Sequence, residues 1–167
     1  RYAAPARSRV RRVRVVAGSA DKLKGLAARG AEVAAGSIDD PAFARRALEG
    51  AGAAFLLLPP YLGAGIRAWQ DRTAGLLGDA LEAAKIPHAL TLSSIGAHLP
   101  GGNGPIAGLH VLEQRLARIA GLSPLHLRPG YFMENHLHAA AAIAALGVYP
   151  SLERSNVSVP MVATPDI

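Results

Sequence analysis

Ser93 and Ser94, which end the run LTLSS, are the hydroxyls best placed for chemistry in this sequence. In an open α/β sheet, ligands gather beyond the carboxyl ends of the strands. A hydroxyl there can bond a substrate carbonyl or a cofactor ribose, or it can satisfy its own loop backbone. Both uses stay open at this stage. Two glycine patterns could cradle a phosphate. Gly63-Ala-Gly65-Ile-Arg-Ala68 opens a helix after a strand, but it starts too far beyond the strand, and no acid ends the next strand to hold a ribose. Gly102-Asn-Gly104-Pro-Ile-Ala107 lies further still from its strand. Both read as ordinary loops. His136 and His138 are two apart and do not share a helix face. His88, His98, His110 and His126 fall in separate elements with no carboxylate at ligand spacing, so no metal site is expected. No GxSxG elbow supports a nucleophilic serine.

Composition narrows the classes further. Half of the 167 residues are apolar and 18% are charged, a globular balance. The apolar stretch Ala139–Val148 is about half the length of a bilayer span. The absence of cysteine rules out disulfides, thiolate metal ligands and a cysteine nucleophile, and fits a cytoplasmic protein. The net charge of +6 is concentrated in residues 1–15, which hold six arginines and no acid. The remainder carries 12 basic and 12 acidic residues. With no aromatic or motif beside these arginines, residues 1–12 read as a basic lead-in, and a nucleic-acid partner is not expected. The chain starts at Arg1 and stops just after the apolar run Val157–Ala163, which gives it the look of a fragment.

The positioning elements follow from periodicity. Val13–Ala17, Ala31–Ala35, Ala53–Leu58, His88–Ser93 and Pro124–Leu127 predict strands. Helices are predicted over Ala20–Arg29, from Pro41 to near Gly50 (capped by Asp39 or Asp40), over Ile66–Lys85, Leu109–Ala120 and His136–Leu146. This alternation predicts a doubly wound parallel sheet, with Ala53–Leu58 and His88–Ser93 as adjacent central strands covered on both faces.

Three segments, in this order and spacing, resemble the NmrA-like branch of the atypical short-chain dehydrogenases/reductases. They are AEVAAGSIDDPAFARRALEGAGAAFLLLPP (Ala31–Pro60), LTLSSIGA (Leu90–Ala97) and GLHVLEQRLARIAGLSPLHLRPGYFMEN (Gly108–Asn135), the last including Glu113. The resemblance implies an NAD(P)-binding Rossmann-like domain over residues 13–167. It also shows what differs. The family opens with a strand and a GATGxxG turn, whereas residues 1–12 contain no glycine. Where the superfamily has a YxxxK pair, this chain reads His110-Val-Leu-Glu113-Gln114. Tyrosine would give the proton and lysine would lower its pKa. Members of this branch are NAD(P)H-dependent reductases of quinone-like acceptors or redox-sensing regulators that bind the cofactor without turnover.

By resemblance, the cofactor path runs along the strand-end loops. Gly18, Ser19 and Lys22 stand where a basic residue reads the adenine ribose phosphate, and Ser37 and Ile38 flank the adenine. Leu58, Pro59 and Pro60, then Ser93 and Ser94, continue the path. Pro129, Gly130, Tyr131 and Phe132 lie nearest the nicotinamide or substrate. Glu134 and Asn135 are expected to cap the following helix. Without the glycine turn, NAD(P) binding should be weak or absent, and apolar surface should be left beside Val13–Ala17 and Ala53–Leu58.

Overall fold

A computed structural model describes residues 12–59, 61, 63–151 and 156–167. Most of the proposed lead-in and Pro60 therefore lie outside the described residues.

The chain begins with β1 (Arg14–Ala17), then a 3-10 turn (Ala20–Leu23) running into the short α1 (Lys24–Ala27) and β2 (Glu32–Ala35). The longer helix expected over Ala20–Arg29 is thus broken. Only Leu23 of its apolar face is buried, and Leu26 remains exposed. A helix this short gains little from propensity and needs an apolar surface to lie on. α2 (Pro41–Leu48) follows, and Asp40 rather than Asp39 is its cap, accepting from the Ala42 N–H at 2.9 Å. Asp39 instead accepts from the buried Thr73 hydroxyl at 3.3 Å.

β3 (Ala54–Leu57), α3 (Ile66–Ala83), β4 (His88–Leu92), α4 (Ala107–Leu116) and β5 (Ser123–Leu127) form the main body. After β5 come β6 (Tyr131–Phe132), a 3-10 stretch (Met133–Ala139), α5 (Ala140–Leu146) and β7 (Met161–Val162). Among the described residues all pairings are parallel. β1 pairs with β2, β3–β4–β5 form a second sheet, and β6 pairs with β7.

The three-stranded sheet has two unlike faces. Ala54, Leu56 and Ala89 point into a core with Leu77 and Leu81 of α3 and Leu112 and Leu116 of α4. α2, α3 and α4 pack side by side on this face. The opposite face carries two in-register rows, Phe55–Leu90–Leu125 and Leu57–Leu92–Leu127. Phe55 is 61% exposed and Leu125 66%. A hollow of about 440 Å³ sits there, bordered by Ala53, Phe55, His88, Leu90 and Leu125.

One expectation is corrected here. β4 is central, but β3 lies at an edge of its sheet and is covered on one face only. An apolar run such as Ala53–Leu58 has the composition of a doubly covered strand. Among the described residues, however, no strand bridges β1 and β3 and no helix lies on the Phe55 face.

Candidate functional site

The carboxyl ends of β3, β4 and β5 stand side by side, because the strands are parallel and in register. The β4–β5 ladder continues past both strands. The Ser93 N–H donates to the Leu127 carbonyl at 2.7 Å and the Ile95 N–H to the Pro129 carbonyl at 2.9 Å. Leu58, Ser93–Ser94 and Pro129 are thereby gathered at one end of the sheet. Leu58 is buried in the core and Pro59 is half-buried. Ser94 follows the Leu57–Leu92 side of the pleat, whereas Ser93 follows the covered side.

Ser93 turns inward. It is 6% exposed, and its hydroxyl donates to Glu113 Oε1 at 2.5 Å. Glu113, on α4, is 4% exposed and is gripped from the other side by Arg128, whose Nε donates to Oε1 at 3.0 Å and whose Nη2 donates to Oε2. Burial pushes the Glu113 carboxyl up, but the hydrogen bonds from Arg128 and Ser93 outweigh it and leave the group below the usual carboxylate range. Beside this cluster the Thr91 hydroxyl meets His126 Nδ1 at 2.7 Å. Burial, opposed by the Glu113 charge, holds His126 below its ordinary value. Nothing in local sequence spacing pointed to this network, since its members lie 15 to 35 residues apart.

Gly130 and Tyr131 are fastened to the end of the chain. The Tyr131 N–H donates to the Pro160 carbonyl at 2.8 Å, and a Cβ at Gly130 would overlap that carbonyl oxygen. Glycine is needed here for close backbone approach. Tyr131 and Phe132 are half-buried, and the Tyr131 ring lies 5.4 Å from His136. The expected capping role of Glu134 is corrected. Its carboxylate accepts from the Thr164 N–H at 2.9 Å and hydroxyl at 2.7 Å, tying down the terminal 3-10 turn. That partner is thirty residues away. These bonds hold the Glu134 carboxyl below its ordinary range.

The first two loops belong to the β1–β2 sheet. Gly18, Ser19 and Lys22 are exposed, and Ser19 makes no side-chain cap bond. The Ser37 hydroxyl accepts from its own loop, the Asp39 N–H, at 3.1 Å, and Ile38 is half-buried. The Gly63–Gly65 loop packs on an aromatic pair, with Tyr61 stacked on Trp69 at 4.8 Å. Gly65 takes φ 72° to start α3. Asn103 staples its own loop, donating to the Gly96 and Leu99 carbonyls.

A nicotinamide dinucleotide fits these residues only in part. The turn at Gly18 does not open directly onto a long helix whose N-terminus could receive the pyrophosphate, because it leads into a 3-10 turn and a four-residue helix. Among the described residues no helix is long and apolar enough to cross a membrane, and no three potential metal ligands come together.

Parallel strands joined through helices, with loops gathered at their carboxyl ends, define an incomplete Rossmann-like α/β fold. No family model and no curated protein matches the chain. Solved structures do. An NADPH-dependent quinone oxidoreductase from Escherichia coli, complexed with NADPH, is similar at TM-score 0.67 and 25% identity over 80% of this chain and 45% of its own. A triphenylmethane reductase from Citrobacter is similar at TM-score 0.66 and 13% identity, covering 77% and 45%. The protein Pen from Bacillus thuringiensis is similar at TM-score 0.74 and 14% identity, covering 93% and 54%. The chain thus spans about half the length of the structures it matches.

Proposed function

We propose that residues 13–167 are part of an NmrA-like, NAD(P)H-dependent reductase of quinone-like or other small acceptors. The observation that carries this reading is the gathering of the carboxyl ends of β3, β4 and β5 at one end of the sheet, in a chain 25% identical to an NADPH-bound quinone oxidoreductase over four-fifths of its length. In this reading Leu58–Pro60, Ser94 and Pro129–Phe132 border the nicotinamide half, and Ser37–Ile38 and Gly18–Lys22 border the adenine half. When bound, the cofactor supplies a hydride. The protein then has to place nicotinamide and acceptor in contact and exclude competing geometries. Tyr131 and Phe132 provide the apolar wall for a planar acceptor. Solvent water supplies the proton, since His110, Glu113 and Gln114 occupy the place of the Tyr–Lys pair.

A non-catalytic NAD(P)-sensing role is the second reading. Its support is the same substitution: Glu113 is locked between Ser93 and Arg128 and is not free to move a proton. The test is NAD(P)H titration by calorimetry of the 167-residue chain and of a version extended at its N-terminus by a strand, a GATGxxG turn and a helix. The chain alone should bind weakly or not at all, and the extended version should bind in the micromolar range. Micromolar binding by the chain alone would refute the requirement for the glycine turn. If neither binds, the cofactor reading fails. Steady loss of reduced-nicotinamide absorbance on adding a quinone would separate the reductase from the sensor.

A further inference from the structure

We propose that α4 is a loop clamp, with His110 and Glu113 as positioning residues that set the two strand-end loops against each other. The two side chains are three residues apart and share a helix face. His110 Nδ1 donates to the Ala97 carbonyl at 2.9 Å and so holds the loop that leaves β4. Glu113 holds the start of that loop through Ser93 and the start of the loop leaving β5 through Arg128. One helix face therefore grips both loops at three points.

Backbone pairing alone cannot do this. The β4–β5 ladder ends at the bond from Ile95 to Pro129, because the next amide that could extend it, that of Tyr131, donates to the Pro160 carbonyl instead. Beyond that bond the two loops part, one running to Asn103 and the other to the Pro160 carbonyl. The carboxylate supplies what the backbone lacks. It is buried, charged and bonded on both oxygens, so displacement of Arg128 takes away its counter-ion and displacement of Ser93 takes away a hydrogen bond that water does not readily replace. The clamp also sets the polarity of Ser93. Its hydroxyl hydrogen is taken by Glu113, so toward any ligand Ser93 can offer only lone pairs. Ser94, on the other side of the pleat and half-buried, is the hydroxyl of the pair whose hydrogen Glu113 does not take.

The functional meaning of the clamp rests on the strand-end reading above, but its test needs no cofactor. Amide hydrogen exchange is measured on the 167-residue chain and on Glu113→Gln, Arg128→Lys and His110→Ala. Gln keeps the size of Glu113 without its charge, and Lys keeps the charge of Arg128 without the paired contact. In Glu113→Gln and Arg128→Lys, exchange at Ile95 and Tyr131 should rise at least tenfold, while amides of α3 between Thr73 and Leu81 stay within twofold. In His110→Ala the rise should be smaller and confined to the loop after β4. Equal acceleration in α3, or no acceleration at the loops, would overturn the proposal and leave Glu113 as an ordinary core residue. Should Glu113→Gln fail to fold, Arg128→Lys and Ser93→Ala decide the matter, because each removes one arm and keeps the carboxylate. A failed cofactor titration would leave this result standing, so the two readings fail separately.

Discussion

The two faces of the β3–β4–β5 sheet are built from similar residues and have opposite fates. On one, Ala54, Leu56 and Ala89 lie under α3 and α4 with Leu81, Leu112 and Leu116, each at most 1% exposed among the helical three. On the other, Phe55, Leu57, Leu125 and Leu127 stand 37–66% exposed. Apolar side chains gain roughly 25 cal/mol for each Å² removed from water, and only the first face collects that gain. Sheet position and composition are therefore not enough to make a core; a packed second layer is. The contrast also explains where polar chemistry is found. Thr91, Ser93 and Glu113 are buried under the covered face, where the half-buried His126 and the exposed Arg128 reach in to bond them. The described residues of the bare face hold no comparable network.

Paired truncations give the largest expected difference between the faces. Leu116→Ala on the covered face should lower stability by about 2–5 kcal/mol in urea unfolding. Leu125→Ala on the bare face should change it by less than about 0.5 kcal/mol. Equal losses would mean that the bare face is covered in solution.

Gly130→Ala reaches the strand-end side of the comparison. The added methyl meets the Pro160 carbonyl, so a loss of about 1–3 kcal/mol is expected, with β7 released first. Limited proteolysis after Pro160 is the readout. A variant as resistant as the parent would show that β6 and β7 can separate without cost.

Acid should attack the covered face in two stages. His126 is held below its ordinary 6.5, so the folded state resists its protonation, and stability should begin to fall as pH drops through that value. Glu113 is held below 4.5, so its contribution is full above that pH and is lost as pH falls through the lower folded value. A pH series of unfolding midpoints on the parent and on His126→Asn should show the first stage removed and the second kept. A profile unchanged by His126→Asn would break the assignment.

The smallest effect on stability belongs to Phe55→Ser with Leu125→Ser. Stability should stay within about 0.5 kcal/mol. Concentration-dependent light scattering should fall, because the exposed apolar patch is reduced. Unchanged scattering would show that this face does not drive self-association.

Much of this was legible from residues alone. Helical spacing predicts an inward face of Ile66, Trp69, Thr73, Leu76, Leu77, Ala80, Leu81 and Ala84 on α3 and of Leu109, Leu112, Leu116 and Ile119 in the α4 region; eight of these twelve are buried, and Ile66, Leu76, Ala84 and Leu109 are half-buried. The apolar runs marked β3 and β4 as parallel neighbours, because alternation with helices leaves few other connections. Proline after an aspartate marked the start of α2. These features depend on contacts within a turn or two of the chain, or on period alone.

Tertiary structure alone decided the rest. A continuous apolar run has the same composition whether one or both of its faces are covered, so AFLL alone does not give the exposure of Phe55 and Leu57; only the lack of a glycine turn in residues 1–12 led to the expectation of apolar surface beside it. Glu134 looks like a helix-start acid until Thr164, thirty residues on, is brought to it. Glu113 looks like one more charge on a surface helix until Ser93 and Arg128, each from a different strand end, close on its two oxygens. Local pattern reports which side chains prefer to leave water. Which partner meets a buried carboxylate depends on strands and helices far apart in the chain arriving at one place, and that is settled only when the fold closes.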